Sequence, residues 1–158
     1  MKKPLIVAIS MLVLDQLTKY LVNSFVSFGD TVNVVSMYDF FSITNIRNTG
    51  TAFGVFQGQG RNTLFFIFVS LLLSGLSLWL YKNWNKLNKL QQYSFCLIVA
   101  GGLGNLIDRL FHGAVVDFLD FGINSLRWPA FNIADSCISV SVCLVLADML
   151  IKRNQVNN

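Results

Sequence analysis

Tyr93-Ser94-Phe95-Cys96-Leu97-Ile98-Val99-Ala100-Gly101-Gly102-Leu103-Gly104-Asn105-Leu106-Ile107-Asp108-Arg109-Leu110-Phe111 carries no charge until Asp108 and Arg109 close it. A helix needs about 20 mostly apolar residues to cross the hydrocarbon core of a bilayer. This stretch meets that length and sets Asn105, Asp108 and Arg109 at one end. Segments at about 4–22, 63–81 and 133–151 share its character. The last is rich in Ile and Val but far too long for a core strand. The reading is an all-α membrane protein, a four-transmembrane-helix bundle forming a single membrane domain over 1–158.

Composition agrees. Of 158 residues, 54% are hydrophobic and 13% charged, against about 25% charged in soluble domains. Mean hydropathy is +0.57. A water-soluble globule, a disordered tail, a collagen-like chain and a disulfide framework are excluded. All eight acidic residues are Asp, and the lack of Glu, the better helix former, fits helices with little solvated surface. The net charge of +4 does not indicate a nucleic-acid binder, because the basic residues sit at the ends of apolar runs. Membrane lipids with anionic headgroups are the expected partner. Cys96, Cys137 and Cys143 lie in apolar stretches and read as buried small hydrophobes. With one His and no CxxC pair, no metal site and no cofactor are expected.

Lys2 and Lys3 precede the first span, Lys82, Lys86 and Lys89 link the second and third, and Lys152 and Arg153 follow the fourth. The opposite side holds Arg47, Arg61 and Arg127. The positive-inside rule then places both termini in the cytoplasm. Asp15 and Lys19 interrupt the first span and no A-x-A site follows, so it is expected to stay uncleaved. Two segments face outward, about 23–62 and about 112–132. In the first, Thr31–Val35 and Phe40–Thr44 are β-prone, so a β-rich surface layer is expected over about 29–56. Tyr38, Phe40 and Phe53 are candidates to dip into the interface.

Charged residues at the centre of a membrane helix cost roughly 2.5–3.5 kcal/mol on insertion scales and usually mark function. Asp15 and Lys19 share one face of the first span, in its outer half. Asn105, Asp108 and Arg109 fall at the outer end of the third, Asn132 and Asp135 at the outer start of the fourth, and Asp117 just beyond the third. These groups converge on one level beneath the outer surface, which points to a shared site. Asp148 lies at the opposite end, one helical turn from Lys152, and reads as an interfacial pair. Asp30, Asp39 and Asp120 read as solvated loop residues. The Gly101, Gly102 and Gly104 cluster reads as close helix packing.

Lys19 is a poor general base, because Asp15 holds it charged. Two carboxylates remain. A close pair shares one proton; the ionised member can deprotonate water while the neutral member polarises a peptide carbonyl. Asp117 and Asp135 bracket the short outer loop and are the best-placed pair, with Asn132 able to orient one of them and Arg109 able to pair with a carboxylate or a lipid phosphate. On residues alone, two rim carboxylates could equally relay protons. A small proton-coupled transporter using Asp15, Lys19 and Asp108 and a non-enzymatic membrane assembly factor are the competing readings.

Five motifs then stand in order along nearly the whole chain: Leu14-Asp15-Gln16-Leu17-Thr18-Lys19, Asn48-Thr49-Gly50-Thr51-Ala52-Phe53-Gly54, Gly101 to Arg109, Val115-Val116-Asp117-Phe118, and Phe131-Asn132-Ile133-Ala134-Asp135-Ser136. On these the chain resembles the bacterial type II (lipoprotein) signal peptidase family. The resemblance implies an aspartic endopeptidase of the plasma (inner) membrane. Such an enzyme cleaves signal peptides from diacylglyceryl-modified prolipoproteins just before the lipidated cysteine. By motif, Asp117 and Asp135 are the implied catalytic pair, supported by Asp15, Asn48, Asn105, Arg109 and Asn132. Lys19, Gly50 and Asp108 stand in the same motifs and are placed with the substrate-binding and supporting set. The resemblance also implies sensitivity to the cyclic peptide globomycin. Thr51 stands where the family more usually has Ala, and a local packing effect without loss of activity is expected. A single bundle could enclose the site, which favours a monomer. The first cysteine is Cys96, so the chain is not expected to be a lipoprotein itself.

Overall fold

The computed structural model describes residues 2–49 and 61–156. The helices are α1 (Lys2–Phe25), α2 (Arg61–Asn83), α3 (Lys89–His112) and α4 (Ile133–Val156); the strands are β1 (Thr31–Val35), β2 (Phe41–Asn48), β3 (Val115–Ile123) and β4 (Leu126–Arg127). Three stretches are long and apolar enough to cross a membrane, judged on the described residues: α1, α3 and 133–153 of α4. The remaining expected span, 63–81, falls within α2, a helix of 23 residues.

α3 is the spine of the helical part. It packs most extensively on α4, then on α1, and α2 rests mainly against it. Small residues set the α3–α4 approach. A Cβ on Gly101 would collide with the Ala134 carbonyl oxygen, and one on Gly104 would come within 3.1 Å of the Ala134 Cβ, and within 2.7 Å of Asp15 Oδ2 on α1. The glycine cluster is therefore a close-packing surface, as expected. At the other end, the side chains of Asn88 and Gln91 at the start of α3 donate to Asp148 on α4. Lys152 pairs with the same carboxylate at 2.9 Å. The α3–α4 pair is thus tied near both ends.

The strands form one antiparallel sheet in the order β1-β2-β3-β4. β1 and β2 match the two β-prone runs. At β3 the structure differs from the sequence reading, in which 112–132 is an outer loop. Val115–Ile123 is in fact the longest strand and pairs with β2. Gly113, in the left-handed region at φ +72°, closes α3 by donating its N–H to the Arg109 carbonyl and turns the chain into β3. The sheet is fixed to the helices where Val116 and Phe118 of β3 pack with Val22 of α1. Phe53, Gly50 and Thr51 lie outside the described residues, as does the end of the expected 29–56 layer.

Two side-chain expectations change. Cys96 and Cys137 are buried, but Cys143 is exposed, on an outward face of α4. Asp120 is not a solvated loop residue. It lies on β3, paired with Arg127 of β4 at 2.7 Å. Arg127 also donates to the Asp39 carbonyl, fastening the β3–β4 turn to the residues before β2.

Candidate active site

The site begins with an ammonium group that water cannot reach. Lys19 on α1 is 2% exposed, and burying a charge requires partners for it. It lies 2.8 Å from Asp15 one turn earlier and 3.0 Å from Asp108 on α3, and donates to Asn105 Oδ1 at 3.1 Å. An ammonium has three donors, and each finds an acceptor. Gln16 adds a second bridge, its amide nitrogen donating to Asp15 Oδ2, Asp108 Oδ1 and the Gly104 carbonyl.

Asp135 sits in the first turn of α4. Asn132 is the cap: its side-chain oxygen accepts the Asp135 N–H at 2.9 Å, and Asp135 Oδ2 accepts the Asn132 N–H at 3.3 Å. This is a reciprocal capping box, with Asn and Asp in the roles usual for Ser/Thr and Glu. The next orphan donor of the helix, the Ala134 N–H, goes to Asp15 Oδ1 at 2.8 Å. Asn105 donates to Asp135 Oδ1 at 2.7 Å. The helix N-terminus and these donors all face the Asp135 carboxyl.

Asp117 arrives from the sheet. Its partner across the ladder is Ile46, and an irregularity in β2 between Ile43 and Ile46 puts an extra residue in that strand. Side chains alternate faces along a strand, so the bulge exchanges which β2 residues share a face with Asp117. Asn48, rather than Arg47, thereby lies diagonal to it and donates to Asp117 Oδ2 at 3.0 Å. Asn132 donates to Asp117 Oδ1 at 2.8 Å. Burial, reinforced by the negative charge of Asp135, raises the Asp117 carboxyl from 3.8 to about 6, against the opposing hydrogen bonds from Asn48 and Asn132 and the charge of Lys19. The strand itself is held by the Val116 N–H, which donates to Asp108 Oδ2 at 3.2 Å.

The layer expected from the sequence is therefore one connected network. It contains Asp15, Lys19, Asn48, Asn105, Asp108, Asp117, Asn132 and Asp135, and Asn132 touches both candidate carboxylates through its own backbone and side chain. Gly50 lies outside the described residues. Arg109 is half-buried and interacts electrostatically with Asp135, Asp117 and Asp108. It donates to the Asn105 carbonyl at 3.5 Å and is in none of the ion pairs found among the described residues. Those residues hold no group of three or more His, Cys, Asp or Glu placed for a metal ion.

Sequence reasoning gave Gln16 no role, although it stands between Asp15 and Lys19. Only its half-burial on the charged face of α1 reveals it. Strand β3 had a readable signal: a Val/Phe/Leu-rich run closed by Gly122 and followed by Asn124-Ser125, with Asn124 at φ +51°.

The chain is similar to known proteins over most of its length. Residues 7–151 match the family model described as signal peptidase (SPase) II. The chain is 41% identical over 137 residues to the lipoprotein signal peptidase of Thermodesulfovibrio yellowstonii, covering 84% of each protein. It is 42% identical over 156 residues to that of Staphylococcus carnosus, covering 95% of each. A solved bacterial membrane enzyme superposes with a TM-score of 0.83 at 34% identity, over 98% of this chain and 92% of the other.

Proposed function

This chain belongs to the signal peptidase II family, and on that premise we propose that it removes signal peptides from prolipoproteins, with Asp117 and Asp135 as an aspartic catalytic pair. It is a multi-pass membrane peptidase. The observation that carries the catalytic assignment is the shared hold of Asn132 on both carboxylates.

The two acids divide the work by environment. Asp135, at the N-terminus of α4, bears the negative charge and takes a proton from water. Asp117, raised to about 6, holds the shared proton and gives it to the scissile carbonyl oxygen as the hydroxide adds to the carbon. The gem-diol then collapses. Asp135 passes its proton to the leaving amine, and a hydroxyl proton returns to Asp117, so the pair ends as it began. The transporter reading loses its basis, because Asp15, Lys19 and Asp108 are locked in a closed ion-pair knot.

The substrate follows the family: a diacylglyceryl-modified precursor cut just before its lipidated cysteine, with globomycin as inhibitor. Four helices cross the membrane, both termini face the cytoplasm, and the pair opens at the outer rim, where a lipidated cysteine would lie. One chain holds both acids, which supports a monomer acting as a single domain.

The test is purified protein in bilayers with a lipidated signal peptide, read by mass spectrometry. Asp117→Asn and Asp135→Asn are each expected to abolish the cut product while still accumulating in the membrane. Near-normal turnover by either would remove that residue from the chemistry.

A further inference from the structure

The mechanism uses two acids and Asn132, yet the most deeply buried charges nearby are Asp15, Lys19 and Asp108, at 1%, 2% and 2% exposure. Their free contacts are specific. Asp15 Oδ1 takes the N–H of Ala134, the residue before Asp135. Asp108 Oδ2 takes the N–H of Val116, the residue before Asp117. Asp15 turns its other oxygen, Oδ2, to both the Lys19 ammonium and the Gln16 amide, whereas Asp108 shares Oδ2 between Lys19 and the Val116 N–H and turns Oδ1 to Gln16. Each arm runs from the Lys19–Gln16 hub, through one carboxylate, to the backbone amide preceding one catalytic acid. A third arm leads from Lys19 through Asn105 to the Asp135 carboxylate.

A helix and a strand from different parts of the chain must place two carboxyls to a fraction of an ångström. The start of α4 is joined to β3 directly, through the Phe131–Leu119 bridge and through Asn132, but the amides that immediately precede the two acids are held instead by Asp15 and Asp108. We infer that Lys19, Gln16, Asp15 and Asp108 are positioning residues that fix the first turn of α4 and the start of β3 to a common point and so set the spacing of the catalytic pair. This role rests on the aspartic reading above. It follows from where the hydrogen bonds end, on backbone N–H groups that carry no chemistry of their own. Ion pairing alone would leave those amides unaddressed.

The experiment compares amide with alanine replacements. Asp108→Asn and Asp15→Asn keep a carbonyl oxygen for the Val116 or Ala134 N–H; Asp108→Ala and Asp15→Ala do not. Misplacing a reacting group by about 1 Å costs on the order of 10²-fold. The alanine variants are expected to lose about that factor in kcat with KM for the lipidated peptide unchanged, and the Asn variants to recover most of it. Equal loss in Asn and Ala variants, or a loss confined to KM, overturns the role.

Where an alanine variant fails to accumulate, Gln16→Leu decides. It removes one bridge without leaving a charge unpaired. A fall in kcat at constant KM supports the role, and an unchanged kcat overturns it. Asp117→Asn and Asp135→Asn are run alongside. If they are inactive while the alanine variants are fully active, only the positioning role fails; if they are active, the catalytic reading itself fails.

Discussion

Asp117 and Asp135 are the same residue type made unequal by their surroundings. Asp135 receives the donors of a helix start, whereas Asp117 lies in a strand, buried, with its carboxyl raised to about 6. The sign for activity follows. On the proposed mechanism Asp117 must hold a proton, which it keeps below about 6 and loses as pH rises through that value. The kcat/KM profile of the free enzyme is therefore expected to fall on its alkaline side from about 6 upward, and a flat profile there would contradict the division of roles. Asn48 favours the ionised form of Asp117, so Asn48→Ala is expected to move that falling limb to higher pH. Asn132→Ala removes a helix cap worth about 1 kcal/mol and frees both carboxylates. It is expected to lower kcat by more than Asn48→Ala does, at a small cost in melting temperature.

At the scale of elements, the helices were legible because lipid demands long apolar runs, and the polar residues that break them could be placed by depth. The depth argument brought Asp15, Lys19, Asn105, Asp108, Asn132 and Asp135 to one level, and they meet there. Strand β3 was not read, although Val115–Phe121 is β-prone, because its partner is β2, far away in sequence, and the apolar run reads equally well as a loop lying on lipid. The bulge in β2 was not legible at all. Register is decided by pairing, and nothing in Ile43-Thr44-Asn45-Ile46 announces which residue is extra. The glycine approach was legible, and it is testable. Gly101→Ala places a methyl group against the Ala134 carbonyl, a backbone atom that cannot swing aside. Overpacking of this kind costs about 1–3 kcal/mol. The variant is expected to melt lower in detergent, and to lose activity beyond that loss because Ala134 directly precedes Asp135.

For the whole molecule, the charge pattern predicts an orientation of the bundle in the membrane. Lys82 lies at the end of α2, Lys86 in the link and Lys89 at the start of α3, whereas Asn124-Ser125 form the turn between β3 and β4. A membrane-impermeant thiol reagent applied to intact cells, on a background without the native cysteines, is expected to label Ser125→Cys and not Asn85→Cys. The reverse pattern would invert the topology.

The fastening of α3 to α4 has a consequence for traffic through the bilayer. These helices are stapled at the level of Asp135 by Asn105, which donates to the Asp135 carboxylate and accepts from Asn132, and at the far end by Asp148 with Asn88 and Gln91, while α2 leans mainly on α3. A cavity of about 220 Å³, walled by Leu5, Ile9 and Leu12 of α1, Leu80 of α2 and Leu103 of α3, lies between those three helices. A greasy tail arriving sideways from the lipid meets ready-made room there, away from the stapled seam.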